Sequence, residues 1–180
     1  MNDHKIIFTG PVGAGKSTAI RSLSDVAPVS TDELATDITR ERKEQTTVAM
    51  DYGILKLDGG ETVHLYGTPG QERFNFMWDI LTQGGIGLVL LVNNARPAPF
   101  TDLHFFLSAF EKFINSTALA IGVTQMDKAE PGAPTLEDYY KELPPKYINT
   151  PVFEVDARQK NDVVILVESL LFSLDQCLEA

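Results

Sequence analysis

The nine residues Gly10 to Thr18, GPVGAGKST, put glycines, a lysine and two hydroxyls in the order needed to hold a phosphate chain. They satisfy the pattern G-x-x-x-x-G-K-[ST], and they follow a strand-like run and open a helix-like one, the context that pattern requires. Glycines let backbone N–H groups curl around an anion, and the N-terminus of the following helix adds positive potential. Gly10, Gly13, Ala14, Gly15, Lys16, Ser17 and Thr18 therefore form the expected phosphate cradle. Lys16 would reach the β- and γ-phosphates, and the Ser17 hydroxyl would ligate Mg²⁺. The bland alternative, a glycine-rich turn with an idle lysine, leaves the coincidence of pattern and context unexplained.

Phosphate-binding loops serve kinases, motor-like ATPases and GTPases alike, so other segments must decide. Four carry chemistry: TTVAMDYG (Thr46 to Gly53), TPGQERF (Thr68 to Phe74), TQMDK (Thr124 to Lys128) and VDAR (Val155 to Arg158). In order and spacing they resemble the switch I, switch II and two guanine-base boxes of the Ras-like small GTPases, over nearly the whole chain. The proline of Thr-Pro-Gly-Gln is similar to the bacterial gliding-motility branch, whose members work with roadblock-fold proteins.

The resemblance implies GTP and GDP with Mg²⁺, and it assigns roles. Thr47, with Thr46 the close runner-up, would join Ser17 on Mg²⁺ and order its loop only while the γ-phosphate is present. The Gly70 amide would sense that phosphate, and Gln71 would orient the attacking water, making Gln71 and Lys16 the catalytic pair. Thr124, Gln125, Asp127, Lys128 and the Ala157 amide would hold the base, with Asp127 accepting from guanine N1–H and N2–H₂. Departures from the pattern are Gln125 for lysine, Thr124 for the commoner asparagine, and Arg158 for lysine. A fourth stands at Gly67, where Ras-like proteins carry an aspartate that reaches Mg²⁺ through water. A glycine has no side chain for that task, so a weak metal site in the GDP state is expected. The implied function is a GTP-hydrolysing switch acting on a cytoplasmic partner; the alternative is a nucleotide-binding scaffold subunit that hydrolyses nothing.

Arg73 to Leu81, RFNFMWDIL, packs six large apolar residues into nine. A helix face on the core accounts for about half of them. The remainder suits a partner surface that changes with nucleotide, and the resemblance implies a roadblock-fold homodimer or other effector bound through Phe74, Phe76 or Trp78.

The elements that would position these groups alternate. Lys5–Thr9, Ile86–Asn93, Ala118–Thr124 and Pro151–Val155 read as strands, the middle two continuous β-rich runs that suit strands buried on both faces. Asp51–Leu57 and Thr62–Tyr66 alternate with period two about Asp58-Gly59-Gly60, a hairpin signal. Helices are predicted over Lys16–Ser24, Phe100–Asn115, Leu136–Leu143 and Asp162–Leu178. The expectation is an α/β P-loop sandwich of one domain, residues 1–180, with a six-stranded, mostly parallel sheet, one antiparallel edge strand and helices on both faces. Ser30–Gln45 is polar and charge-mixed and reads as a loop or exposed helix.

Composition narrows the partners. Fifteen basic against 25 acidic residues leave a net charge of −10, which disfavours nucleic acid and anionic membrane. No secretory apolar segment is visible, and the longest apolar run, Ile86 to Val92, is too short to span a bilayer. The single cysteine, Cys177, fits a reducing cytoplasm. It stands fourth from the end, yet Glu179 spoils a lipidation pattern.

Overall fold

In the computed structural model, residues 3–30, 50–57, 59–72 and 75–178 are described. β1 (Asp3–Thr9) lies at the middle of the sheet, parallel to β4 (Thr62–Gly67) on one side and β5 (Gly87–Asn93) on the other. Beyond β5 come β6 (Ala118–Thr124) and β7 (Val152–Val155), both parallel. β3 (Asp51–Lys56) runs antiparallel to β4, as the hairpin signal predicts, and pairs Asp51 with Gly67. These six strands match the expected sheet. A seventh, the two-residue β2 (Val29–Ser30), adds an outer antiparallel rung on β3, too short to leave any periodicity to read.

Alternation along the strands sorts the core into two layers. Ile6 and Phe8 of β1 face one side, where Ile20 and Leu23 of α1 (Lys16–Leu23) and Leu166 and Leu170 of the long C-terminal helix Lys160–Leu178 cover them. Ile7 faces the other side, beneath α2 (Phe76–Thr82) and α3 (Pro99–Ala109). Every residue of β5 and β6 is buried, which is why their sequences are apolar up to the closing Asn93 and Thr124. The predicted helix over Phe100–Asn115 is interrupted at Phe110 (φ −102°, ψ 9°), and a short α4 (Glu111–Ile114) follows. α5 (Leu136–Glu142) opens on a capping box in which Thr135 and Asp138 satisfy each other's backbone N–H groups. The helix Lys160–Leu178, α6, lies on the opposite side, beside α1. Among the described residues, no helix is long and apolar enough to cross a membrane.

With three parallel strands ending side by side, the loops after β1, β5 and β6 meet at one rim of the sheet. That rim is where an open α/β sheet binds its ligands.

Candidate functional site

The loop from Gly10 to Gly15 joins β1 to α1, and its glycines are there for backbone reasons. Gly10, Gly13 and Gly15 have φ of 140°, 78° and 95°, values that side chains with a Cβ rarely tolerate. At Gly10 a Cβ would lie 2.1 Å from the Leu91 carbonyl oxygen. Lys16 folds back beneath this loop, and its Nζ donates to the Gly10 and Pro11 carbonyls, each at 2.8 Å. Burial of this ammonium pulls its pKa from 10.5 down to about 8; the Asp51 carboxylate opposes the change and the Arg96 charge adds to it.

The segment after β4 closes over the same loop. Thr68 extends the parallel pairing through its N–H to the Phe8 carbonyl (2.9 Å), and its hydroxyl meets that of Thr9 at 2.8 Å. Gly70 then lies against the phosphate loop. A Cβ there would be 2.7 Å from the Val12 nitrogen and 2.8 Å from Lys16 Nζ, so only a bare backbone amide fits. Gln71 follows, exposed to solvent.

Gly67 explains itself in the same way. A Cβ on it would lie 3.0 Å from Ile20 Cδ1 of α1 and 3.2 Å from both Cβ and Oδ2 of Asp51. The Asp51 carboxylate, from the neighbouring strand, occupies the space on that side and accepts a 2.5 Å hydrogen bond from the Ser17 hydroxyl.

A second chamber opens beyond Ala14 and Gly15, a pocket of about 540 Å³ whose walls include Thr18, Thr124, Asp127, Lys128 and Ala157. Its floor is knitted to the phosphate loop. Thr124, buried at the end of β6, donates to the Ala14 carbonyl at 2.9 Å. Gln125 takes up a left-handed conformation (φ 56°), and its Nε2 donates to the Gly13 carbonyl at 2.7 Å. The same carbonyl receives Asn93 Nδ2 at 3.1 Å. The amide at 125 thus ties the end of β6 to the phosphate loop. Asp127 stands in the short 3₁₀ turn that follows, exposed into the pocket. On the far wall, Arg158 clasps Asp156 through two hydrogen bonds of 2.8 and 2.7 Å, and that pairing holds the Asp156 carboxyl at about 2.

Residues 27–160, about three quarters of the chain, match the family described as conserved hypothetical ATP binding protein. The chain belongs to that family. The matched stretch begins after the phosphate loop, so loop and family membership are independent observations. An uncharacterized protein of Methanocaldococcus jannaschii is 24% identical over 144 residues, 80% of this chain and 82% of its own. Two Ras-related proteins of Arabidopsis thaliana, RABE1e and RABE1d, are each 25% identical over 137 residues, 73% of this chain. The chain spans 57% and 58% of those plant proteins, less than two thirds of their length. Within its family the protein is a nucleotide-binding P-loop NTPase, distantly related to Ras-like small GTPases.

For this member of the conserved hypothetical ATP binding protein family, most predicted site residues converge. Gly10, Gly13, Ala14, Gly15, Lys16, Ser17 and Gly70 surround the phosphate end, and Thr18, Thr124, Gln125, Asp127, Lys128 and Ala157 the other. Thr46, Thr47, Arg73 and Phe74 lie outside the described residues. Trp78 needs correcting as a partner contact. It is 5% exposed, its ring stacks on Phe110 at 5.0 Å, and its Nε1 donates to the Pro69 carbonyl at 3.1 Å. Helical spacing turns Phe76 and Ile80 outward instead, at 60% and 62% exposure. Sequence reasoning missed two residues here. Asn93 gives no signal beyond its place at the end of a buried strand. Asp51 does, because counting back from the hairpin turn sets it opposite Gly67.

Proposed function

We propose that the protein is a Mg²⁺-dependent switch that binds and hydrolyses GTP. The carrying observation is the Asp127 carboxylate in the pocket that adjoins the phosphate loop. An ionised carboxylate only accepts hydrogen bonds. Guanine offers two adjacent donors, N1–H and N2–H₂, whereas adenine presents a lone pair at N1 and would face the acid with an acceptor. The family's description names ATP, so the nucleotide is the first thing to test.

The donor set suits Mg²⁺: Ser17 presents an oxygen beside an anionic carboxylate, and hard cations take oxygen ligands. Ser17, with Thr47 from the expected switch I, would hold the ion, which supplies charge neutralisation to the phosphates. Lys16 already points into the loop, ready to exchange its two carbonyl partners for phosphate oxygens. Gln71, exposed after Gly70, would orient the attacking water. The exposed face of α2, with Phe76 and Ile80, is the surface for a roadblock-fold homodimer or other effector.

Competition against a fluorescent GDP analogue tests the reading. GTP and GDP should displace it, with ATP weaker by at least a hundredfold. Asp127→Ala should cost guanine nucleotides about 2–5 kcal/mol, as truncating one partner of a buried charged hydrogen bond does. Equal displacement by ATP would overturn the guanine assignment. Tight GTP binding with no phosphate release, alone or with a roadblock dimer, would leave the scaffold reading in its place.

A further inference from the structure

The absence of an acid at residue 67 is compensated on the adjacent strand. Asp51 and Gly67 are direct antiparallel partners, so their side-chain positions share one face of the sheet. That face lies under α1, which sits unusually close. A Cβ at Gly53 would lie 2.9 Å from Ile20 Cγ2, and one at Gly67 3.0 Å from Ile20 Cδ1. Glycines on both strands make room for Ile20, and Ile20 is one turn along from Ser17. The close seat of α1 therefore excludes a side chain at 67 and brings the Ser17 hydroxyl within 2.5 Å of the Asp51 carboxylate.

We infer that Asp51 is the positioning carboxylate of the Mg²⁺ site, doing from β3 what the Ras-like aspartate does from β4. The inference rests on the proposed reading of this end as a Mg²⁺-nucleotide site. A serine hydroxyl has one proton and two acceptor lone pairs. To ligate a cation, it must direct its proton elsewhere. Donation to Asp51 does this, leaving oxygen lone pairs for the ion and a negative charge next to it. The charge is also felt at the phosphate lysine, where it works against the effect of burial. The expectation of a feeble diphosphate-state metal site followed from glycine having no side chain. With Asp51 in place, EDTA should accelerate GDP release strongly.

Release of a fluorescent GDP analogue from the whole protein is measured by stopped flow, with Mg²⁺ and with EDTA, for the wild type, Asp51→Asn and Asp51→Ser. Asn keeps the shape and an acceptor oxygen but loses the charge. In the wild type EDTA should speed release at least tenfold. In both variants the EDTA acceleration should fall towards one, and half-maximal slowing should need at least tenfold more Mg²⁺. Release in EDTA alone should match the wild type, which a merely structural loss would not leave unchanged. Wild-type Mg²⁺ dependence in either folded variant, or no EDTA effect in the wild type, overturns the inference. A wild type that binds no guanine or adenine nucleotide overturns the underlying reading and this inference together, a result distinguishable from the first two.

Discussion

Gly67→Asp, the change that would bring this chain into line with Ras-like proteins, should weaken it. The new Cβ would sit 3.0 Å from Ile20 Cδ1 and 3.2 Å from Asp51 Cβ and Oδ2, tighter than ordinary van der Waals contact. Overpacking of this kind costs about 1–3 kcal/mol. The added carboxylate would then face Asp51. At about 5 Å and an effective dielectric of about 20, two like charges repel by roughly 3 kcal/mol, and protonation or rotation of one relieves part of that. A net loss of about 2–4 kcal/mol follows, read from urea unfolding of the nucleotide-free protein. In an Asp51→Gly background the charge partner is gone and only the flexible end of Ile20 must yield, so the same substitution should cost about 1 kcal/mol. The double-mutant cycle then gives a coupling of about 1–3 kcal/mol. A neutral Gly67→Asp, or equal cost in both backgrounds, would refute the placement of Asp51.

Other expectations follow from the same site. Gln71→Leu should keep nucleotide affinity while slowing phosphate release at least tenfold, because an exposed glutamine that orients water would act on the transition state and not on nucleotide binding; unchanged turnover would remove it from the catalytic role. Lys16 has a folded-state pKa of about 8 against 10.5, so the stability of the nucleotide-free protein should fall as pH drops from 10.5 to 8 and level off below. Lys16→Met should be more stable than the wild type near pH 7, by up to about 3 kcal/mol less the two lost carbonyl bonds, and should lose that advantage above pH 10.5, as urea titrations at the two pH values would show. Ile80→Asp on the exposed face of α2 should abolish capture of a roadblock-fold dimer while leaving GTP binding intact; capture that persists would move the partner surface elsewhere.

Much of this site was legible because its parts are set by local chemistry. Positive φ at Gly10, Gly13 and Gly15 leaves glycine as the natural occupant, so the phosphate loop announces itself. β5 and β6 are buried on both faces, and their unbroken apolar runs say so. Asp51 was hidden because its role depends on what lies across the hairpin and above it, not on its neighbours in sequence. The information was nonetheless present: the hairpin signal Asp58-Gly59-Gly60 in the sequence implies the register that pairs 51 with 67. Trp78 was misjudged for a related reason. Six apolar residues in nine can be divided between core and solvent only when the phase of the helix is known, and that phase puts 78 inward and 76 and 80 outward. The two-residue β2 and the break at Phe110 are consequences of packing with no local pattern to betray them.

The bond from Trp78 to Pro69 gives the molecule an optical readout of its own. Trp78 is the sole tryptophan of the chain, shielded from water and in contact with three phenylalanine rings. Its indole N–H is spent on a carbonyl of the Thr-Pro-Gly-Gln segment, one residue before Gly70. Any lifting of that segment from the phosphate loop must break this bond and let solvent reach the indole, which reddens and dims its emission. If that segment moves with nucleotide, as proposed, excitation near the indole band would report on one of its joints, with no dye attached and no competing tryptophan signal. Nucleotide loading, release and partner engagement could each be timed by the protein's own light.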